Sequence, residues 1–110
     1  MGCNLVTLNT KRDFERTYKS QKRWHNAHFI LFFREDTHLK RVGFSVSKKI
    51  GNAVCRNRIK RRFRSVYREF MPNLRNGDMV LLAKNGLDKV AYKTLRDNYK
   101  YALTRLGLVA

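Results

Sequence analysis

Residues 43–64 read GFSVSKKIGNAVCRNRIKRRFR. Val42, Phe44 and Val46 alternate with Gly43, Ser45 and Ser47, the period-two pattern of a strand with one buried face. Gly51 and Asn52 come next. An Asn side chain accepts from the free N–H groups of a helix's first turn, so a helix starts here. It is expected to run to Phe70 and to stop before Pro72. Ile59, Phe63, Val66, Tyr67 and Phe70 recur at spacings that keep one face of this helix on a core. The rest of its surface is cationic. Arg56, Arg58, Lys60, Arg61, Arg62 and Arg64 fall within nine residues, and no acid stands between Lys48 and Arg68.

At about 100° per residue, Arg56, Lys60 and Arg64 form one stripe, and Arg58, Arg61 and Arg68 form a second with Arg62 beside it. The apolar stripe lies between them. Like charges three and four residues apart cost a free helix a few tenths of a kcal/mol per pair, and polyanion binding reverses that sign. Arginine, dominant here, grips phosphates bidentately and stacks on bases. Lys48 and Lys49 extend the patch. Gly51 would let the loop backbone approach a phosphate at the helix N-terminus. The whole chain shares the bias: 25 Lys and Arg against 8 Asp and Glu in 110 residues, a net charge of +17. Such charge speaks to partners rather than fold, and it points to RNA or DNA.

Outward from this segment, the pattern is a small α+β domain. Thr10 followed by Asp13 resembles a capping box, which predicts a short helix from Lys11 to Lys19. Phe14 and Tyr18 share one face of it. Ser20–Ala27 is basic and irregular, with an extended piece through Trp24. Phe29–Arg34 is apolar on both faces, as in a central strand. Glu35-Asp36-Thr37-His38 reads as a turn, so the strands at 29–34 and 42–46 are expected to pair as an antiparallel hairpin. Asn76-Gly77-Asp78 reads as a turn, Met79–Lys84 as a strand, and Asp88 to Leu106 as a final helix carrying Ala91, Leu95, Tyr99, Ala102 and Leu106 on one side. The expected architecture is one domain over 1–110, an α-β-β-β-α-β-α sandwich with helices against a small sheet.

Other classes fit poorly. No stretch approaches the ~20 apolar residues of a membrane span. MGCNLVTL lacks the regions of a signal peptide, and Val6 stands where myristoylation wants Ser or Thr. Cys3 and Cys55 have no metal-ligand spacing and are expected as free thiols in the cytoplasm. An autonomous nuclease needs clustered carboxylates or a histidine pair. Only Glu35 and Asp36 are adjacent acids, and His25, His28 and His38 show no ligand spacing. Phe14 and Tyr18 lie among Arg12, Arg16, Lys19, Lys22 and Arg23. Rings among cations suit single-stranded RNA, although the same rings would serve to dock the helix on the sheet. Trp24 is open to both uses. A structural RNA-binding protein, such as a small ribosomal component, would share this size and charge.

The run Phe44-Ser45-Val46-Ser47-Lys48-Lys49-Ile50-Gly51-Asn52-Ala53-Val54, followed by Arg56-Asn57-Arg58-Ile59-Lys60-Arg61, closely resembles the signature of the bacterial ribonuclease P protein subunit. The first helix, the Phe29-Ile30-Leu31-Phe32 strand, the strand at 79–84 and the last helix fall where that family places them. Residues 1–8 carry nothing that resembles it and are expected to be disordered. The resemblance implies a left-handed βαβ crossover through the basic helix, against the general rule. It implies binding to the catalytic RNA subunit and to the 5′ leader of precursor tRNA, which the assembled endonuclease removes. By that resemblance Phe14, Tyr18, Phe32, Arg56, Asn57, Lys60 and Arg64 face the leader, Phe32 offering a ring where some relatives carry Tyr. Lys48, Lys49, Arg58, Arg61, Arg62 and Arg68 face the RNA subunit. No catalytic residue, metal ligand or cofactor is implied in the chain. Magnesium belongs to the assembled RNA–protein enzyme, and neither a membrane nor a small-molecule substrate is implied.

Overall fold

The computed structural model describes residues 6–8, 10–20, 22–35 and 39–109. In chain order the elements are β1 (Val6–Thr7), α1 (Lys11–Tyr18), β2 (Lys22–His25), β3 (Phe29–Glu35), β4 (Lys40–Ser45), α2 (Ala53–Phe70), β5 (Gly77–Ala83) and α3 (Tyr92–Leu106). The strands form one sheet in the order β1-β4-β5-β3-β2. This is the expected α+β sandwich, with one addition and three corrections. The addition is β1, which pairs in parallel with β4 while Leu8 behind it is buried. The expectation of disorder over residues 1–8 therefore fails at 6–8; residues 1–5 lie outside the described ones.

The first correction concerns pairing. β3 and β4 do not form a hairpin, because β5 lies between them, antiparallel to β3 and parallel to β4. Met79, Val80 and Leu81 are fully buried, and the sheet's centre is where a strand apolar on both faces is covered twice. β3 takes its hairpin with β2 instead, pairing Leu31 with Trp24. Asn26 turns that hairpin by accepting the His28 and Phe29 N–H groups at 2.8 and 2.9 Å. Of the expected turn at 35–38, Glu35 ends β3 and the rest lies outside the described residues. Second, Gly77 and Asp78 belong to β5 rather than to a turn, with Gly77 paired to Glu35 and Lys40.

Third, the last helix starts at Tyr92, not Asp88. A 3-10 turn at Leu87–Lys89 buries Leu87 in the core, and the extended Val90 turns its carbonyl to the Arg62 guanidinium, which donates at 2.6 Å. Those two contacts hold 87–90 out of the helix, so Ala91 becomes its cap and stays exposed.

One sheet face, with Phe29, Leu31, Phe33, Val42, Met79 and Leu81, carries α2 and α3. Ile59, Phe63, Val66 and Tyr67 of α2 and Leu95, Tyr99 and Ala102 of α3 are buried against it. Asn52 caps α2 as read, its Oδ1 accepting the Cys55 N–H at 2.9 Å. The opposite face, with Phe32 and Val80, is covered only in part, by α1.

Candidate nucleic-acid interface

The α1 face is built in rows, because side chains paired across neighbouring strands stand abreast. Gly43, Val80, Phe32 and Arg23 make one row. Arg41, Asp78 and Arg34 make the row on one side of it, and Ser45, Leu82, Ile30 and His25 the row on the other. Thr10 caps α1, its hydroxyl accepting the Asp13 N–H at 3.2 Å. The helix then lies over the middle row. Phe14 seats on Gly43, where any Cβ would stand 2.6 Å from its ring tip. Tyr18 meets Phe32 edge to face, with ring centroids 4.9 Å apart, and the Phe14 and Tyr18 rings are 6.2 Å apart. The Arg23 guanidinium lies over the Phe32 ring, 5.9 Å from its centroid.

Phe14, Tyr18 and Phe32 are thus one cluster. Their exposures differ: Phe14 and Tyr18 are half-buried, whereas Phe32 is 8% exposed and forms the floor. Half-buried Ile30 and Leu82 continue the apolar surface beyond α1. Phe14 and Tyr18 therefore dock the helix on the sheet, and, being half-buried, they keep some ring surface at the rim. Trp24 faces the other way, edge to face on the exposed Tyr101 of α3 at 5.6 Å.

The basic helix lies across the sheet from α1. Its two stripes diverge as the spacing requires. Arg64 sits 5.9 Å over the ring of Phe44, on the β4 side, so Arg56, Lys60 and Arg64 run along that edge. Arg58, Arg61 and Arg62 line an open recess toward α3 with Ser65 and Tyr92, whose hydroxyls are 2.9 Å apart. Asn57, Arg58, Arg61 and Arg68 are exposed; Arg62 is half-buried by its bond to Val90. Lys48 and Lys49 stand exposed on a 3-10 turn that the Ser47 hydroxyl caps. Gly51 has ordinary extended backbone, and a Cβ there would crowd Cys55 at 3.0 Å.

The residues read as facing the leader therefore occupy two faces of the sheet. They meet only around β4, where Gly43 lies under Phe14 and the next residue, Phe44, lies under Arg64.

Charge is distributed unevenly. Among the described residues, the acids pair with Lys22, Arg34, Arg41, Arg75 and Arg96, and none pairs with a cation of α2. The basic helix is left for an external anion. Asp78 is fully buried, bound bidentately by Arg41 through Nε and Nη2 at 2.8 Å each. Arg41 also reaches Asp13 of α1 at 3.6 Å. Among the described residues no three of His, Cys, Asp and Glu stand together as a metal site. Cys55 is a free thiol; burial first, then the Asp88 carboxylate, pushes it above its ordinary range, which disfavours the thiolate. Cys3 lies outside the described residues.

The sequence reading missed Gly43 and the Arg41–Asp78–Asp13 set, and it named Arg23 only as one cation among several around the α1 rings. Gly43 carried a usable signal, since glycine inside an alternating strand marks a close approach of another group.

Known proteins answer to this description. The profile of the family Ribonuclease P matches residues 4–107. The ribonuclease P protein component of Natranaerobius thermophilus is 41% identical over 90 residues, 80% of this chain and 78% of its own. That of Streptococcus agalactiae serotype Ia is 36% identical over 104 residues, 93% and 94% of the two chains. Among solved structures, the RNase P protein of Staphylococcus aureus superposes with a TM-score of 0.87 at 25% identity, over 97% of this chain and 100% of that one. The Thermotoga maritima protein gives 0.80 at 28% identity, over 90% and 96%. These matches decide against a ribosomal component. Sequence signature, fold and relatives agree over nearly the whole length, and the chain belongs to the ribonuclease P protein family.

Proposed function

We propose that this chain, as the protein subunit of ribonuclease P, binds the catalytic RNA through α2 and the 5′ leader of precursor tRNA through the α1 face. The observation that carries this is the division of labour between the two faces. A helix whose cations have no partner among the described acids suits a structured polyanion. A rim of half-buried rings beside an apolar strip suits unstacked bases. Arg58, Arg61, Arg62, Arg68, Lys48 and Lys49 take the RNA subunit. Phe14 and Tyr18 stack leader bases over the Phe32 floor. Arg56, Asn57, Lys60 and Arg64 hold the leader backbone where it passes round the β4 edge.

The hydrolysis belongs to the RNA. Magnesium held there supplies the Lewis acid and the activated water. The protein contributes affinity for the leader and neutralises phosphates that would otherwise need more cation. No described helix is long and apolar enough to cross a membrane, and a cytoplasmic setting goes with this role.

The test is reconstitution with the cognate RNA subunit. Adding the protein lowers the magnesium needed to cleave precursor tRNA, and protein alone cuts nothing. Cleavage at the 5′ end without the RNA overturns the proposal.

A further inference from the structure

We propose that Arg41 is a positioning residue: fixed by the buried Asp78, it holds Asp13 and so sets where α1 lies over the sheet. The consequence for RNA rests on the reading of the α1 face as the leader cleft.

At eight residues, α1 is far below the ~12–15 at which an isolated helix becomes even marginal. It is helical where it is because the sheet holds it. Only Thr17 is fully buried. Phe14 and Tyr18 anchor it through rings that can slide. The polar anchor is different in kind. Asp78 is a carboxylate with 1% of its side chain exposed, and a buried charge of that sort demands a fully made ion pair. Arg41 supplies it with Nε and Nη2, which fixes the plane of the guanidinium. Nη1 is then aimed, and Asp13 Oδ2 stands 3.6 Å from it. Arg34 approaches the same Asp78 at 3.5 Å from β3, so β3, β4 and β5 all reference this point.

The geometry links it to the cleft at two places. Asp13 directly precedes Phe14, and Arg41 is two residues along the same strand face from Gly43, the seat of the Phe14 ring. A shift of Asp13 therefore moves that ring across its seat.

The test is Asp13→Asn in the full chain, which leaves the Arg41–Asp78 pair intact. Charge alone and positioning predict opposite signs. Removing an acid from a protein of net charge +17 tightens RNA binding in general. Positioning weakens it selectively: in the reconstituted enzyme the affinity ratio of leader-bearing to leaderless tRNA falls by about threefold, the scale of one partly exposed ion pair. Asp13→Glu, whose longer arm still reaches Arg41, restores the ratio. Glu15→Gln, exposed on the same helix, removes the same charge and leaves the ratio unchanged.

A readout without RNA runs in parallel. The Phe14 ring on Gly43 displaces the Gly43 Hα resonances from ordinary values by its ring current, and Asp13→Asn moves them back toward those values. Unmoved Gly43 resonances overturn the proposal. So does a leader ratio that falls equally in Asp13→Glu or Glu15→Gln. If Phe14→Ala itself leaves the leader ratio intact, the cleft reading fails, and the Gly43 resonances still judge the Arg41 bridge.

Discussion

Replacing Gly43 with Ala is the sharpest probe of the α1 face. The new Cβ would stand 2.6 and 2.8 Å from Phe14 Cζ and Cε1 and 3.3 Å from Leu8 Cδ1. Carbon atoms rest at about 3.5–4.0 Å, so the ring must withdraw by about 1 Å. The backbone adds no strain, since Gly43 is not one of the positive-φ glycines, which among the described residues are Gly77, Gly86 and Gly107. Alanine even gains ~0.4–1 kcal/mol by restricting the unfolded chain. Overpacking costs ~1–3 kcal/mol. The net expectation is a destabilisation of about 1 kcal/mol, or a fall in Tm of about 5 °C for a chain of this size.

Binding suffers by a separate route. A base stacked on a ring is worth ~1–3 kcal/mol, and a ring displaced by a third of its width keeps only part of that. Affinity for leader-bearing precursor should fall about fivefold, while affinity for the RNA subunit holds, because α2 packs on the other face. Urea unfolding and paired binding titrations with and without a leader measure both. A variant that is more stable than the parent and keeps its leader preference would show that Phe14 does not rest on Gly43, and the reasoning would fall.

Two further outcomes follow from the same geometry. Arg58→Ala with Arg61→Ala should flatten the log–log salt dependence of RNA-subunit binding by ~0.7–0.9 for every phosphate that the protein no longer neutralises; an unchanged slope would count against direct phosphate binding by these arginines. Burial first, with the Asp78 carboxylate adding, pushes the Tyr67 phenol up to about 12. An unfolded tyrosine titrates near 10, so the folded state holds this proton longer, and the associated stability is intact below about pH 10 and lost as pH rises toward about 12. Tyr67→Phe should shallow that alkaline decline without loss at neutral pH, since the Tyr67 hydroxyl has no hydrogen-bond partner among the described residues. Identical alkaline melting of the two proteins would refute the assignment.

The bounds and faces of α2 were readable from residue order. Asn52 and Pro72 bracket α2, the interval from Ile59 to Phe70 orients it, and the arginine spacing separates its two edges. Each of these depends on residues within a turn or two of one another, where side-chain chemistry and helix pitch leave one answer. Burial of Phe29, Leu31 and Phe33 on one face and Phe32 on the other was likewise written in the apolar run of β3.

Strand order was not. Backbone hydrogen bonds are blind to sequence, so nothing in 29–34 or 42–46 announces that β5 will come between them; that follows from where a doubly apolar strand is best covered. The start of α3 moved for a similar reason, through Arg62 and Val90, residues 28 apart. The cleft is the extreme case. Phe14 on Gly43, and Asp13 on Arg41 on Asp78, are contacts between elements remote in the chain. Close packing places such groups within ångströms of each other, and it exists only once the whole sheet has assembled.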